Sequence, residues 1–341
     1  MDLKRKMSFK KGSGTGKNLS PEEQNAKVGE CRKIIGPIAD KFPTLCSDSS
    51  LLRYLRAQKY STKKAAKMLK STMKWRMEFK PDRLKWDDVA QDAAAGTLYR
   101  ADYLDKQGRI VLVMRPGIQT SNSAAGQIKY LVYCLENAIL NLSPNQEQMV
   151  WLIDFQGWSA ASISLKVTKE IAQVLQDHYP ERLGLAIFYN PPKIFESFLT
   201  MAKPFLEPST LKKVTFAYPD NPRSCMIIEE LFDMDKLETF FGGKNTAGFN
   251  YEAYAQKMRE DDQKMANFID SGCSSPSNYF NSDVNESQQS DDNDSEDEIS
   301  GDEGVCSNLE KDDEIIQGQI MPCSQHDSKN EVLEPKNGER A

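Results

Sequence analysis

Histidine is scarce in this chain: only His178 and His326 occur in 341 residues. A Ser-His-Asp or Cys-His catalytic set would have to use His178, yet no G-x-S-x-G nucleophile motif accompanies it. A lone histidine just before Tyr179-Pro180 is typical of a helix end, where it caps or packs. The chain also has no C-x-x-C, H-x-x-x-H or EF-hand pattern, so neither a metal site nor a cofactor is predicted. We therefore expect a binding protein rather than an enzyme.

Long apolar runs are also missing. No stretch approaches the ~18 consecutive apolar residues that a membrane-spanning helix needs, and the first residues lack the apolar segment of a signal peptide. Position 2 is Asp and the C-terminus EPKNGERA has no cysteine, so no myristoyl or prenyl anchor is predicted. The seven cysteines are irregularly spaced, which favours reduced thiols in a cytoplasmic protein. Any membrane contact is expected to be peripheral.

The net charge of −6 conceals two regions of opposite sign. Residues 270–341 contain 19 acidic and 4 basic side chains, a balance of −15, and residues 1–269 contain 31 acidic and 40 basic side chains, a balance of +9. A basic body is attracted to anionic surfaces, either a phosphate-bearing membrane or nucleic acid. In one interpretation the acidic tail competes for that basic face, and in the other it only solvates the chain.

Both ends of the chain are predicted to be disordered. Residues 1–19 are rich in Lys, Gly and Ser, and residues 270–341 are acidic with few apolar side chains. Neither segment can bury enough apolar surface to offset the conformational entropy that is lost on folding.

Residues 20–80 are predicted to form a small helical lobe. A capping box with proline at the first helical position begins at Ser20, in the sequence S-P-E-E. Further helix starts follow at Ser47 and Ser61, each leading into apolar residues at helical spacing.

Between residues 87 and 250 the pattern changes to an alternation of strands and helices. TLYRADYL and RIVLVMRP flank a DKQG turn and predict a β-hairpin, while MVWLIDF and LGLAIFYN are typical of buried strands. Helical periodicity separates these strands. Such an alternation predicts an α/β domain with a mixed, largely parallel sheet covered by helices.

The segment from Pro191 to Thr210 is more apolar than a surface helix should be. Its apolar residues spread past one narrow stripe, and Pro204 and Pro208 interrupt it. Composition alone fits both an ordinary core helix and a movable wall over an enclosed pocket.

Several stretches together resemble the CRAL-TRIO lipid-binding family. LLRYLRAQKYSTKKAAKMLKSTMKWR is similar to the family's helical N-terminal lobe. The stretches DKQGRIVLVMRPG, WLIDFQGWS, HYPERLG, IFYNPPKIFESFLTMAKPFLEPSTLKKV and FFGGKN are similar, in order, to its hairpin, central strand, pre-gate turn, gate helix and closing turn. The similarity covers residues 47–245 and is nearest in kind to the fungal and plant phosphatidylinositol transfer proteins. It implies a two-lobed fold whose sheet is the floor of a phospholipid pocket, with Pro191 to Thr210 as its gate.

The resemblance also implies a site for the lipid headgroup. In the family's inositol-lipid binders, a Glu of the Y-P-E-R turn, a Thr and a Lys after the gate, and a basic run on the N-terminal lobe surround the phosphoinositol group. The corresponding residues here are Glu181, Thr210, Lys213 and Lys59, with Gln58 in place of an arginine and Arg56 as a partial substitute. A lysine ammonium pairs with phosphate, and a carboxylate accepts hydrogen bonds from inositol hydroxyls.

The phosphatidylcholine part of the family's site is less well matched. Where the family has hydroxyl side chains, this chain has Met149 and Trp151 on the central strand and Leu112 on the hairpin. Apolar bulk at these positions argues against phosphatidylcholine exchange and favours a less polar second ligand or none. The gate residues expected to line the pocket are Phe195, Phe198, Leu199, Met201 and Phe205.

The leading hypothesis is a cytoplasmic, non-catalytic phosphatidylinositol-binding and transfer protein that docks on anionic membranes through its basic face. Its expected partners are the bound phospholipid and the anionic membrane surface. The resemblance alone adds a phosphoinositide kinase, and nucleic acid is not expected as a partner. Two alternatives stay open: a carrier of a non-phospholipid hydrophobe such as a tocopherol, retinoid or sterol, and a lipid-sensing scaffold or regulator that acts through the acidic tail.

Overall fold

The structure is a computed structural model that describes residues 19–118, 123–159 and 164–270. Apart from Leu19 and Asp270, the two segments predicted to be disordered lie outside the described residues. The α-helices are α1 (Pro21–Ile35), α2 (Asp48–Ala57), α3 (Thr62–Phe79), α4 (Ala90–Ala93), α5 (Ala124–Leu140), α6 (Leu165–His178), α7 (Phe195–Ala202), α8 (Pro208–Leu211), α9 (Pro222–Leu231) and α10 (Tyr251–Phe268).

One mixed sheet has the spatial order β1-β2-β3-β4-β5, which is also the order along the chain. Its strands are β1 (Leu98–Leu104), β2 (Ile110–Met114), β3 (Met149–Asp154), β4 (Leu183–Tyr189) and β5 (Val214–Ala217). β1 and β2 pair antiparallel as the predicted hairpin, and the three remaining pairs are parallel. The predicted α/β fold with a mixed, largely parallel sheet is confirmed.

The turn of the hairpin is held by Asp105. Its carboxylate accepts hydrogen bonds from the backbone N–H groups of Gln107 and Arg109 and from the Arg109 guanidinium at 2.7 Å. Gly108 adopts a φ of 74°, a conformation that glycine reaches without strain. The turn thereby sets the register in which Ile110 pairs with Leu104.

The N-terminal helices α1, α2 and α3 share a hydrophobic core of their own. The capping box at the start of α1 is present: the Glu23 N–H donates to the Ser20 hydroxyl, and the Ser20 N–H donates to the Glu23 carboxylate at 2.7 Å. Such a cap satisfies two N–H groups that would otherwise lack partners at the helix start. The predicted helical lobe is thus a packed unit with separate apolar contacts.

Charged side chains join this lobe to the α/β domain. Arg76 on α3 donates to both carboxylate oxygens of Glu136 on α5, at 2.8 and 3.0 Å, and Tyr179 donates to the same carboxylate. Arg53 and Arg56 on α2 both donate to Glu147, which lies just before β3. A bidentate arginine–carboxylate pair restricts orientation, so these contacts determine how α2 and α3 sit against the domain.

Helix α10 is a part of the fold that the sequence did not predict, since the predicted domain ended at residue 250. It packs against α5, and its Asp261 side chain is 1% exposed. The Asp261 carboxylate accepts hydrogen bonds from Arg100 on β1, from Asn137 on α5 and from Asn141 just after that helix. Tyr254, Ala255 and Met258 of the same helix are buried in the main core, so α10 is held by both apolar contacts and this buried charge.

Candidate functional site

An apolar cavity of about 240 Å³ lies on one face of the sheet. The β3 side chains of Met149, Trp151 and Ile153 line it, and the intervening Val150 and Leu152 are completely buried on the opposite face, as strand alternation requires. Trp151 and Ile153 are only half-buried although β3 is the central strand of the sheet. The cavity therefore occupies a place where helices normally cover a parallel sheet.

One face of α6 forms a second wall of this cavity. The lining residues on this helix are Thr168, Ile171, Ala172, Leu175 and Gln176. Their spacing of three and four residues places them on one side of the helix. The sequence predicted this helix but assigned it no site residue, although its amphipathic pattern carried the signal.

The gate segment forms the third wall. Helix α7 ends at Ala202, a single tight turn around Pro204 follows, and α8 begins at Pro208, so the two prolines interrupt the segment as predicted. The apolar gate residues that line the cavity are Phe195, Phe198, Leu199, Ala202 and Leu206. The first three of these were predicted to do so.

The rings of the gate pack in a small cluster that is separate from the main core. The Phe195 side chain is 4% exposed, and its ring centroid lies 4.3 Å from that of Phe155 and 5.3 Å from that of Trp158. On the outer side of the segment, Ile194 and Met201 are 59% and 46% exposed. The gate therefore rests on a limited set of aromatic contacts.

Polar residues gather at one end of the cavity. Glu181, Thr210 and Lys213 all line it, and the Lys213 ammonium lies 3.1 Å from the Glu181 carboxylate. Both charged side chains keep about a quarter of their surface exposed. Glu181 adopts a φ of 59°, which is uncommon for a residue with a side chain and is often found at functional positions.

The end of α2 reaches the cavity as well, because Ala57 is one of its lining residues. Arg56, Gln58 and Lys59, which were predicted to surround the lipid headgroup, do not line the cavity themselves. Arg56 pairs with Glu147 at 2.5 Å, and Gln58 donates to the Met68 sulfur at 3.3 Å. Lys59 is exposed and makes no ion pair within the described parts of the chain. Of this group, only the Lys59 ammonium is available to a ligand without breaking an existing contact.

Three residues predicted to line the pocket lie outside its lining. Leu112 is completely buried, paired in register with Trp151 but packed within the main core. Met201 faces outward, and the Phe205 ring lies 5.4 Å from the Lys169 ammonium. Apolar residues cover so much of the gate's circumference that their spacing alone could not show which of them face the cavity.

His178 ends α6 and packs, as its isolated position in the sequence suggested. Its ring stacks on Trp75 at 4.1 Å between centroids, and its Nδ1 lies 3.2 Å from the Thr72 hydroxyl. Burial, followed by the nearby Arg76 guanidinium, lowers the pKa of His178 from 6.5 to about 4. This histidine therefore stays neutral in the folded protein under mildly acidic conditions.

The stability of the protein should consequently fall as the pH drops from 6.5 towards 4. The unfolded chain binds a proton at this histidine with its ordinary pKa, whereas the folded chain does not, so protonation favours unfolding throughout that window. Urea denaturation at a series of pH values checks this, and His178→Gln should show a flatter profile. The imidazole resonance of His178 can be identified in spectra of the wild-type protein because it is missing from those of His178→Gln. A pKa near 6.5 for that resonance would contradict the prediction.

An apolar chamber with one charged end suits a ligand that has a long apolar portion and a polar head. Within the described residues no cluster of His, Cys, Asp or Glu side chains could hold a metal ion. Among the helices of that same part of the chain, none has both the length and the apolar character needed to cross a membrane.

Two family models match the chain. The model for the CRAL/TRIO domain matches residues 95–243, and the model for the CRAL/TRIO N-terminal domain matches residues 41–71. The first range contains the sheet, the gate and most of the cavity lining. The second range contains α2, whose Ala57 lines the same cavity.

Three curated relatives and one solved structure are informative. A CRAL-TRIO domain-containing protein of Schizosaccharomyces pombe is 33% identical over 62% of this chain, which spans only 20% of that relative. A phosphatidylinositol transfer protein of Saccharomyces cerevisiae is 29% identical over 68% of each protein, and the SEC14 cytosolic factor of Kluyveromyces lactis is 29% identical over 59% of this chain and 72% of its own. The crystal structure of Sfh5 superposes with a TM-score of 0.56 at 16% identity, covering 74% of this chain and 99% of Sfh5, which shows a shared fold.

Proposed function

Because the chain belongs to the CRAL/TRIO family, we propose that it binds one phosphatidylinositol molecule and transfers it between membranes without catalysing a reaction. The observation that carries this proposal is a cavity that combines an apolar sheet floor, an aromatic gate and the Glu181–Lys213 pair at one end. One relative supports the choice of ligand, since it is named as a phosphatidylinositol transfer protein.

The cavity explains how the lipid would be carried. Acyl chains buried against Trp151, Leu175 and Phe198 would gain about 0.8 kcal/mol per CH₂ group, and a closed gate keeps this stabilisation from being lost to water. The indole N–H of Trp151 has no hydrogen-bond partner among the described residues, and an ester carbonyl of a phospholipid is an acceptor that would satisfy it. The protein would reach anionic membranes through its basic body and stay peripheral to them.

At the polar end, Lys213 is the residue proposed to hold the headgroup phosphate. Its ammonium is already turned to the cavity and is balanced by a half-buried carboxylate. A phosphate would replace Glu181 as the partner of Lys213, and the released Glu181 carboxylate would accept hydrogen bonds from inositol hydroxyls. Thr210 adds a hydroxyl to the same end, and we expect Lys59, which is exposed just after α2, to supply a second cation.

Lys213→Ala is expected to slow phosphatidylinositol transfer between vesicles by about tenfold, because the charge-assisted contact to phosphate is lost. Lys212→Ala is the matched control, since the neighbouring side chain is exposed and does not line the cavity. Equal transfer rates for the two variants would remove Lys213 from the headgroup site. Absence of transfer by the wild-type protein would refute the proposed function itself.

The apolar lining also favours a second candidate, a carrier of a non-phospholipid hydrophobe. Met149 and Trp151 present no hydroxyl group to a second lipid headgroup, and they would suit a tocopherol, retinoid or sterol. Mass spectrometry of the lipid that co-purifies with the protein distinguishes the two candidates. A phosphatidylinositol supports the first, and a neutral hydrophobe supports the second.

A further inference from the structure

A second cavity, of about 300 Å³, lies between the helical lobe and the α/β domain. Helices α2 and α3 contribute one side of it, and α5, α10 and the end of α6 contribute the other. Tyr179, Pro180 and Arg182 line both this cavity and the lipid cavity, so the turn that follows α6 lies between the two. Five charged side chains stand among the apolar ones in its wall: Arg53, Arg76, Asp82, Glu136 and Arg182.

Three arginines line this second cavity, and only two of them have a carboxylate partner within the described parts of the chain. Arg53 pairs with Glu147 at 2.7 Å and Arg76 with Glu136 at 2.8 Å. The guanidinium of Arg182 donates only to the Glu147 backbone carbonyl at 3.0 Å, with no ion pair in the described parts of the chain. Burial, followed by the neighbouring Arg53 cation, lowers the pKa of Arg182 to about 10, so it remains charged near neutral pH. Its positive charge is therefore incompletely balanced.

Two further groups in the wall lack hydrogen-bond partners. The Ser50 hydroxyl is completely buried and the Asp82 side chain is 5% exposed, and neither Ser50 Oγ nor Asp82 Oδ2 has a partner among the described residues. Burial raises the pKa of Asp82, with the Arg76 cation opposing it only in part. Since buried polar atoms are nearly always paired, two such atoms in one cavity point to a ligand that pairs with them.

We propose that this cavity binds a small polyhydroxylated anion, such as a phosphorylated polyol, with its anionic group at Arg182 and its hydroxyls at Ser50 and Asp82. A purely apolar ligand would leave Arg182, Ser50 and Asp82 without partners. An inorganic anion would neutralise the Arg182 charge but would carry no polyol hydroxyl groups to pair with Ser50 and Asp82. The volume lies at the lower end of the range for small-molecule sites. The ligand would contact both lobes at once. The inference does not depend on which lipid occupies the other cavity.

Calorimetric titration of the 341-residue protein with glycerol 3-phosphate tests this proposal. The wild-type protein should bind it, and Ser50→Ala and Asp82→Ala should each weaken the affinity by about tenfold, because each removes one buried hydrogen bond. Ser49→Ala is the matched control, since Ser49 is exposed and adjacent in sequence. Thermal unfolding without ligand establishes that the variants are folded.

The same titration separates a free anion from a lipid headgroup. Lys213 lines the lipid cavity and not the second one, so Lys213→Ala should leave the affinity for glycerol 3-phosphate unchanged. A loss of binding in Lys213→Ala, with none in Ser50→Ala, would place the anion at the lipid headgroup position and overturn the proposal. Equal affinity for inorganic phosphate, or no binding of glycerol 3-phosphate at millimolar concentration, would overturn it as well.

Discussion

Glu136→Gln is expected to lower the free energy of unfolding by about 3–5 kcal/mol, the cost of leaving a buried charge without its partner. Glu136 is 7% exposed, and the Arg76 side chain that it faces is 14% exposed. Glutamine keeps the shape and an acceptor for the Tyr179 hydroxyl but loses the negative charge. The Arg76 guanidinium would then remain between α3 and α5 as an uncompensated cation.

Urea denaturation near pH 7 measures this loss. Asp235→Asn is the matched control, because it removes the same charge from an ion pair with Lys244 that also has a short contact, 2.7 Å, but is about three-quarters exposed on both sides. Solvent screens such pairs, so the control should leave the unfolding free energy almost unchanged. A similar small change in both variants would mean that Arg76 finds another partner or water.

The contribution of Glu136 should also depend on pH in a defined direction. Burial alone would raise its pKa, but the Arg76 guanidinium and the hydrogen bonds from Arg76 and Tyr179 outweigh burial and hold it below the ordinary value of 4.5. Its stabilisation is therefore complete above pH 4.5 and is lost as the pH falls through the lower value of the folded state. The difference in unfolding free energy between wild type and Glu136→Gln should therefore shrink below pH 4.5. Most of the change expected from His178 occurs at higher pH than this.

Local signals in the sequence were sufficient for most of the fold. The capping box at Ser20 requires only four neighbouring residues, and Pro204 and Pro208 interrupt a helix wherever they occur. Apolar stretches such as that of β3 likewise identify a buried strand without knowledge of its neighbours. These features were predictable because their causes lie within a few residues of one another.

Contacts between distant segments were not predictable in the same way. Arg56 was assigned to the lipid headgroup because it lies in a basic run, yet its guanidinium pairs with Glu147, 91 positions further along the chain. Asp261 in α10 is buried by Arg100, 161 positions before it. Nothing in the sequence near Arg56 or Asp261 indicates which distant residue each of them contacts in the folded chain. The sequence does contain the candidates Glu181, Thr210 and Lys213, which the fold brings to one end of the cavity.

Phe195→Ala is expected to release the gate without unfolding the rest of the protein. Removal of a buried phenylalanine ring from a core costs about 3–5 kcal/mol. The Phe195 ring packs against Phe155, Trp158 and Phe188 in a cluster that is separate from the main core. Most of this cost should therefore appear in the local opening of α7 rather than in global unfolding.

Hydrogen exchange followed by mass spectrometry distinguishes local from global opening. In Phe195→Ala, the amides of α7 should exchange faster while those of β3 keep their wild-type protection, and the protein should retain less lipid through purification. Met201→Ala is the control on the same helix, because its side chain is 46% exposed and lies outside the cavity lining. If the amides of β3 accelerated as much as those of α7, the aromatic cluster would belong energetically to the main core. A gate that opens independently of the sheet would then be refuted, and lipid exchange would require a larger opening of the domain.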